Sequence, residues 1–355
     1  MQSIKKIKNL KGKKVVVRVD FNVPVKDGKV EDNFRIKKGI PTIEYLVKNG
    51  AKVIILMHLG KDGSSDITPV IKEFFRLSKL SKDKVEFYKN VRSFKGEEEN
   101  SKELSKGFAK LGDIYVNDAF SVSHRAHASV VGIAKILPSY AGFQLEEEVK
   151  NLSMVFDKPK HPFLFILGGA KFSTKMPLIK KYLKLADSVF VGGALANDFL
   201  KANGCEVGMS LTDTEGYGID KLLKNQKLLL PIDVLVQKKD GTKEIKNSHQ
   251  VLKDETIIDI GPQSVEYLNG LVKSSKLILW NGPLGKYEDG GDLATKKILK
   301  EMTKARGITI IGGGDTVALI SDMKIENKFT FVSTGGGATL DFLSSGTLPG
   351  IKVLK

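Results

Sequence analysis

Two short segments of the sequence combine glycine with charged side chains in an order typical of phosphate-binding turns. In the first, Gly168-Gly169-Ala170-Lys171-Phe172-Ser173-Thr174-Lys175 follows an apolar run and precedes a helical pattern. Glycines let backbone N–H groups approach a phosphate, and a helix that starts there adds partial positive charge. Lys171 and Lys175 share one helical face at a position where the helix dipole disfavours cations unless an anion binds. The segment therefore predicts a polyphosphate site, with a solvated lysine face as the alternative.

The second segment, Gly312-Gly313-Gly314-Asp315-Thr316, places an acid and a hydroxyl directly after a glycine turn. Asp315 suits Mg²⁺, a hard cation that prefers carboxylate and phosphate oxygens, but it suits a helix N-cap equally well. A third glycine turn, Ser333-Thr334-Gly335-Gly336-Gly337-Ala338, has no charged side chain. Its amides are placed to stabilise a phosphoryl group during transfer. The chain contains neither G-x-x-x-x-G-K-[ST] nor a G-x-G-x-x-G after a strand, which excludes a P-loop and argues against an ordinary dinucleotide site.

Arginine is scarce in this lysine-rich chain, so its positions are informative. There are six arginines against 51 lysines. Arginine is the residue that grips phosphate or carboxylate with two parallel hydrogen bonds. Four of the six arginines lie in the first third of the chain, in or near the motifs at strand ends, where a two-pronged donor can serve an anionic ligand; the alternative is packing or chance, which is favoured for Arg18 inside an apolar strand.

These motifs lie in a repeating pattern of apolar run, turn and helical segment, which is typical of α/β architecture with largely parallel sheets. Polar or ionic residues follow the strands of the first half, and glycines follow those of the second. Because ligands bind beyond the carboxyl ends of parallel strands, two sheets with different edges predict two ligands. The predicted strands are Lys14–Val19, Lys52–Met57, Lys84–Tyr88, Asp113–Val116, Pro162–Leu167, Ser188–Val191, Leu228–Val236, Leu277–Trp280, Gly307–Ile311 and Thr330–Ser333.

We therefore expect two doubly wound, Rossmann-like domains of the α/β class joined by a hinge helix. The connector is predicted within Ala141–Asp157, an amphipathic pattern with acidic residues near its start. The expected domains are residues 1–150 and 151–337.

Composition narrows the class of protein. The net charge of +16 raises the possibility of nucleic-acid binding, but the lysines are scattered and not interleaved with aromatic residues, so no nucleic-acid partner is expected. The single cysteine, Cys205, cannot form an internal disulfide, and no apolar run is long enough for a membrane helix. A cytoplasmic enzyme without a membrane partner is the expectation.

Several segments in a fixed order resemble the phosphoglycerate kinase family. They include Arg18-Val19-Asp20-Phe21-Asn22-Val23-Pro24, Asn117-Asp118-Ala119-Phe120, His124-Arg125-Ala126-His127 and Leu167-Gly168-Gly169-Ala170-Lys171. Further matches are Asp259-Ile260-Gly261-Pro262, Trp280-Asn281-Gly282-Pro283-Leu284-Gly285, residues 312–316, residues 333–338 and Leu348-Pro349-Gly350. The resemblance implies a monomeric glycolytic kinase that uses Mg²⁺ and transfers a phosphoryl group between 1,3-bisphosphoglycerate and ADP, giving 3-phosphoglycerate and ATP. It also implies that the tail, residues 338–355, returns to the first domain.

The resemblance also assigns roles to residues. The implied acid-substrate site consists of Asp20, Asn22, Arg35, His58, Lys61, Arg92 and Arg125. The implied nucleotide site consists of Lys171, Lys175, Gly192, Gly193, Asn281, Glu288, Gly313, Gly314, Asp315 and Thr316, with Asp315 on Mg²⁺ and Glu288 on the ribose. Arg35, Lys175 and the amides of Gly335, Gly336 and Gly337 would act on the transferring group. His124 and His127 are interpreted as structural.

The chain departs from the family pattern in two places. The family usually has His-Leu-Gly-Arg where this chain has His58-Leu59-Gly60-Lys61, and lysine lacks the planar fork of arginine. The stretch from Gly60 to Arg92 also lacks roughly one βα unit. Three alternatives stay open: a nucleotide-binding protein that has lost turnover, a nucleic-acid binder, and a kinase acting on another acid.

Overall fold

The computed structural model describes residues 1–213 and 218–354 and divides the chain into two compact units. The first unit comprises Met1–Lys150 with Ser345–Lys355, and the second comprises Asn151–Ser344. The tail was expected to leave the second domain at residue 338, but the helix over Gly337–Ser345 belongs almost entirely to the second unit. Its Phe342 ring lies 5.7 Å from that of Phe156, also in the second unit, which explains why the later boundary is favoured.

The first unit is built on a five-stranded parallel sheet in the order β5-β4-β1-β6-β7. A two-stranded hairpin of β2 and β3 lies outside it. The strands are β1 (Lys14–Val19), β2 (Val25–Lys26), β3 (Lys29–Val30), β4 (Lys52–Leu56), β5 (Val85–Phe87), β6 (Ile114–Asp118) and β7 (Ser139–Ala141). The helices are α1 (Phe34–Lys48), α2 (Thr68–Ser78), α3 (Lys102–Ala109) and α4 (Phe143–Ser153), the last of which contains the boundary between the units.

The second unit has a six-stranded parallel sheet in the order β10-β9-β8-β14-β15-β16 and a separate antiparallel sheet in the order β12-β11-β13. Its strands are β8 (Phe163–Leu167), β9 (Ser188–Val191), β10 (Leu228–Leu229), β11 (Asp233–Gln237), β12 (Lys243–Asn247), β13 (Thr256–Ile260), β14 (Leu277–Asn281), β15 (Ile308–Gly312) and β16 (Phe331–Val332). Its helices are α5 (Phe172–Leu185), α6 (Ala194–Ala202), α7 (Ile219–Leu223), α8 (Pro262–Ser274), α9 (Leu293–Met302), α10 (Gly314–Asp322) and α11 (Gly337–Ser345). The chain ends in α12 (Pro349–Lys352) of the first unit.

Both parallel sheets have the strand order of a doubly wound fold, which confirms the predicted class. In each, the first strand of the unit is central and the connections run outward on both sides of it. The order reverses between β1 and β6 in the first unit and between β8 and β14 in the second, and ligands bind at such switch points. Central strands of this kind are covered on both faces, which explains why all five residues of β8 are buried.

One predicted strand is wrong, since Leu228–Val236 is not a single element. Leu228–Leu229 pairs with β9 in the parallel sheet, and Asp233–Gln237 pairs with β12 and β13 in the antiparallel sheet. Pro231 lies at the break, where it has no N–H to donate to a ladder. The antiparallel sheet was not predicted. No helix among the described residues is long and apolar enough to cross a membrane.

Candidate functional site

The first candidate site begins with Asp20, which directly follows the central strand β1. The Arg35 guanidinium, from the first turn of α1, lies 2.8 Å from the Asp20 carboxylate and 3.4 Å from the Asn22 carbonyl oxygen. Asn22 in turn accepts the Gly60 amide on its side-chain oxygen at 3.1 Å. These contacts hold together the segments that follow β1 and β4, so Asp20 and Asn22 orient the arginine as well as facing the strand end.

His58 follows β4 and lies at the centre of the cationic groups of this unit. Burial and, to smaller extents in this order, the charges of Arg18, Arg92, Arg125 and Arg35 together lower its pKa from 6.5 to about 2. All three predicted arginine ligands therefore act electrostatically on one imidazole, which stays neutral at physiological pH. A neutral histidine among arginines can donate a hydrogen bond to an anion without adding to the charge repulsion.

The Arg92 side chain contacts the backbone of Lys61. Arg92 Nη1 donates to the Lys61 carbonyl oxygen at 2.8 Å and lies 2.9 Å from the Glu98 carboxylate. The Lys61 side chain is exposed, and Arg125 contacts the neighbouring His124 ring at 3.3 Å. The loop that carries Lys61 thus belongs to the cationic site.

Sequence analysis missed the network beneath this site. Arg18, interpreted as a packing residue, is 1% exposed, and its Nη2 lies 3.2 Å from His58 Nδ1. Its Nε donates to Ser129 Oγ at 3.0 Å. The Ser129 hydroxyl in turn donates a hydrogen bond to the carboxylate of Glu97, which is fully buried. Glu97 belongs to a run of three glutamates, a pattern typical of a solvated surface loop. The sequence therefore gave no signal that this glutamate, unlike its neighbours, is buried.

The second candidate site is a cavity of about 550 Å³ beside the carboxyl ends of β8, β9 and β14. Among the predicted nucleotide ligands, Gly193, Glu288 and Asp315 line it directly. Much of the rest of the wall is apolar and comes from α6, the loop after it and the antiparallel sheet: Leu200, Met209, Leu211, Pro231, Val234, Ile257 and Ile258. A cavity with a largely apolar wall and some charged lining side chains suits a ligand that joins a base to a ribose and a phosphate chain. These apolar residues were not predicted, because the antiparallel sheet was not.

Lys175 lies in the first turns of α5, with its Nζ next to Gly169, which lines this cavity. Its side chain is 6% exposed, and its Nζ donates to the Gly168 carbonyl oxygen. The pKa of Lys175 is lowered from 10.5 to about 8, mainly by burial, with smaller opposing contributions from the Asp315 carboxylate, which raises it, and the Lys171 charge, which lowers it. Lys171, Lys175 and Asp315 are therefore close enough to interact, as a shared phosphate and metal site requires. Lys171 itself is exposed at the start of α5.

The glycines of the second unit are required by the close approach of three turns. At Gly193, with φ +62°, a β-carbon would lie 2.6 Å from the Gly169 amide nitrogen. At Gly313, with φ +96°, it would lie 2.9 Å from the Gly282 amide nitrogen. Backbone amides from neighbouring turns can approach one another only if side chains are absent. The next glycine, Gly314, has open space around it, and a β-carbon on Gly192 would lie 2.7 Å from the Leu284 side chain.

Two buried polar atoms, one at the end of β14 and one at the start of α10, fit a ligand. Among the described residues, neither Thr316 Oγ1 nor Asn281 Nδ2 has a hydrogen-bond partner, although both are buried. Such atoms are costly unless a ligand or water satisfies them. Asp315, exposed beside them, supplies the hard oxygen that Mg²⁺ prefers, so these residues fit a metal–nucleotide complex.

The third glycine turn, residues 333–338, provides backbone amides that a ligand can contact. Gly335 already donates its N–H to Ser333 Oγ at 3.1 Å. Gly336 and Gly337 stand at the start of α11, where amides have no partner within the helix, and Gly336 has φ +55°.

Comparison with known proteins agrees with this arrangement. A profile of the phosphoglycerate kinase family matches residues 4–90 and 76–346. The phosphoglycerate kinase of Pseudothermotoga lettingae is 41% identical, with 97% of this chain and 96% of that protein covered. That of Borreliella burgdorferi is 37% identical over 390 aligned positions, covering 100% of this chain and 99% of that protein.

The same holds for solved structures. That of phosphoglycerate kinase from Coxiella burnetii superposes with a TM-score of 0.88 at 35% identity, covering 99% of this chain and 98% of that one. The alignment with the Borreliella protein is longer than the 355 residues of this chain, so that relative carries residues that this chain lacks. The two ranges that match the family profile overlap at residues 76–90, within the stretch where a βα unit was expected to be missing. The chain belongs to the phosphoglycerate kinase family.

Proposed function

We propose that the first unit binds 3-phosphoglycerate at the arginine-lined end of its sheet and that the second binds the magnesium complex of ATP or ADP in the glycine-lined cavity. The reaction is that of the family, a reversible phosphoryl transfer between 1,3-bisphosphoglycerate and ADP. The observation that carries the proposal is the convergence of Arg18, Arg35, Arg92 and Arg125 on one neutral histidine. Of the four arginines only Arg18 is fully buried, so the partly exposed Arg35, Arg92 and Arg125 can present their guanidinium groups to an anionic ligand.

In the acid site, Arg35, Arg92 and Arg125 would hold the phosphate and the carboxylate, since each guanidinium presents paired donors. Asp20 would keep Arg35 in place through its 2.8 Å ion pair. His58 would donate one uncharged hydrogen bond. Lys61 supports the site through its carbonyl oxygen on Arg92 and offers the bound acid a flexible cation in place of a planar one.

In the nucleotide site, the apolar wall would receive the base and Glu288 the ribose hydroxyls. Lys171, Lys175 and Thr316 would contact the phosphates, with Asn281 and the glycines at positions 192, 193, 313 and 314 close to the nucleotide. Asp315 would hold Mg²⁺, which supplies positive charge to the phosphate oxygens. The unsatisfied Thr316 and Asn281 atoms support this assignment, because a nucleotide would give them partners.

The transfer itself needs no general base. Written towards the acyl phosphate, the nucleophile is the carboxylate of 3-phosphoglycerate, which is already ionised at neutral pH. The carboxylate oxygen forms a bond to the γ-phosphorus of ATP as the bond to the β-phosphate oxygen breaks. Arg35, Lys175 and the amides of Gly336 and Gly337 would offset the charge on the equatorial oxygens.

The two ligands must meet for transfer, so we propose that the units close around them during turnover, with α4 acting as part of the hinge. Closure would also exclude water, which otherwise hydrolyses the acyl phosphate. A monomer in the cytoplasm, as expected from the sequence, suits this mechanism, because both sites belong to one chain.

Separate binding measurements test the two assignments. Calorimetry should show that Arg125→Ala weakens 3-phosphoglycerate binding and leaves MgADP binding unchanged, while Lys175→Ala does the reverse. Arg76→Ala is a matched control, since Arg76 is exposed and its ion pair is with Glu73 on its own helix. If Arg125→Ala binds 3-phosphoglycerate as the wild type does, the acid site lies elsewhere.

A further inference from the structure

Beneath the acid site lies a hydrogen-bonded network of four buried side chains, and no role assigned so far explains it. Glu97 accepts the Ser129 hydroxyl on Oε1 at 2.5 Å and the Ser129 amide on Oε2 at 3.0 Å. Ser129 Oγ accepts a hydrogen bond from Arg18 Nε at 3.0 Å, and Arg18 Nη2 lies 3.2 Å from His58 Nδ1. Each of the four side chains is at most 5% exposed.

The chemistry of the four side chains allows only one assignment of donors and acceptors in this network. Burial raises the pKa of Glu97, while the Arg18 charge and the hydrogen bonds from Ser129 lower it. In its carboxylate form Glu97 can only accept, so the Ser129 hydroxyl points towards it and offers its lone pair to Arg18. A guanidinium has donors only, so Nδ1 of His58 must be the acceptor. His58 is therefore the neutral tautomer with its proton on Nε2, the nitrogen to which no group of the described residues is bonded.

We infer that Glu97, acting through Ser129 and Arg18, is a positioning residue that fixes His58 in the Nε2–H tautomer and so provides one uncharged donor for the anionic substrate. Glu97 is 1% exposed and is the largest favourable charge on Arg18. The Arg18 guanidinium is held on two sides, by Nη1 donating to the Val19 carbonyl oxygen and by Nε donating to Ser129 Oγ, and the second of these contacts depends on Glu97. The inference deepens the proposed function, since the role of the donor rests on an anion binding beside His58.

The relevant comparison is Glu97→Gln. A glutamine amide has one acceptor and one donor group, so it can satisfy only one of the two Ser129 donors and sets its own N–H against the other. Ser129 then loses the orientation that holds Arg18. Ser129→Ala removes the bridge while keeping the Glu97 charge. Glu99→Gln is the matched control, because it removes the same charge from an exposed position in the same loop.

The first experiment measures the tautomer of His58 in the ligand-free protein, by nitrogen NMR of protein labelled on its five histidines. The His58 signals are identified by their loss in His58→Gln. We expect wild type and Glu99→Gln to show an unprotonated Nδ1 and a protonated Nε2. Glu97→Gln and Ser129→Ala should show shifts averaged between the two tautomers. A wild-type proton on Nδ1, or an unchanged tautomer in both folded variants, would overturn the inference.

The second experiment measures dissociation constants for 3-phosphoglycerate and for MgADP. Glu97→Gln and Ser129→Ala should raise the constant for the acid by about tenfold to a hundredfold, the effect of losing a hydrogen bond to a charged group. The constant for MgADP should not change, which separates a local role from a loss of folding. If Glu97→Gln does not fold, Ser129→Ala decides alone. If the wild-type protein has the expected tautomer but no affinity for 3-phosphoglycerate, the proposed function is wrong, whereas the role of Glu97 in fixing the His58 tautomer is retained.

Discussion

Nucleotide binding should draw a proton from solution, because Lys175 is partly deprotonated in the free protein. Its pKa of about 8 results mainly from burial. A bound phosphate brings negative charge to the ammonium group, and an opposite charge in contact raises a pKa by about one to three units. The nucleotide phosphates titrate near pH 6 and contribute little above pH 8. The proton taken up in this range is therefore assigned to Lys175.

The size of the effect follows from the two protonation states. With a pKa near 8 in the free protein and about 10 in the complex, binding should take up about 0.5 proton at pH 8 and about 0.8 at pH 9. The apparent affinity should fall by up to about tenfold per pH unit over the same range, because the lysine must be charged before it pairs.

The assay is calorimetric titration with MgADP in buffers of different ionisation enthalpy, which yields the number of protons exchanged. Lys175→Arg is the control, since arginine keeps its charge throughout and should remove the proton uptake while retaining binding. Uptake near zero in the wild type between pH 8 and pH 9 would refute the reasoning, as would equal uptake in Lys175→Arg.

Three further results are expected. Arg35→Ala should lower kcat on the order of a thousandfold, by analogy with arginines that stabilise phosphoryl transfer. Turnover of ATP and 3-phosphoglycerate at the wild-type rate, with Arg76→Ala as control, would remove Arg35 from the mechanism. Lys61→Arg should lower the Michaelis constant for 3-phosphoglycerate by restoring a planar fork, and an unchanged constant would show that position 61 does not contact the acid. Burial raises the pKa of Asp118 to about 7, so the folded state holds a proton that the unfolded state releases near pH 4. Stability should therefore fall as pH rises from 4 to 7, and denaturant titrations should show Asp118→Asn gaining on the wild type by up to about 1.4 kcal/mol per pH unit; a constant difference would contradict the raised pKa.

The parallel sheets could be predicted because their central strands are short, continuous apolar runs followed by polar or glycine turns. Lys14–Val19 and Ser188–Val191 have the predicted bounds, and the other predicted strands, apart from Leu228–Val236, shift by only one or two residues. Burial on both faces of a sheet leaves this signature in the sequence. The candidate ligands at the strand ends could be named for the same reason, since the turn after each strand lies at the sheet edge.

The antiparallel sheet could not be recognised by that signature. Its strand β12 is almost entirely exposed and reads Lys-Glu-Ile-Lys-Asn, without an apolar face. A local signal was present nonetheless, because Asp240-Gly241 lies between β11 and β12 and Asp-Gly is a hairpin turn sequence. Recognising it would have separated β11 from β10 and indicated the apolar wall of the nucleotide cavity.

The network under the acid site depends on tertiary contacts that no local pattern encodes. Arg18 and Ser129 are 111 positions apart, and Ser129 and Glu97 are 32 apart. Only the fold shows that one glutamate of three is buried and that an arginine within a strand reaches a histidine. The sequence indicated the candidate ligands at the strand ends, and the structure was needed to find the buried groups that contact them.

Turnover tests the central claim most directly. The protein is supplied with ATP, Mg²⁺ and 3-phosphoglycerate, and glyceraldehyde-3-phosphate dehydrogenase with NADH reports the acyl phosphate formed. We predict NADH oxidation that requires all three additions and is lost in Lys175→Ala. A folded protein that binds ATP but gives no NADH oxidation would contradict the account and favour a nucleotide-binding protein without kinase activity.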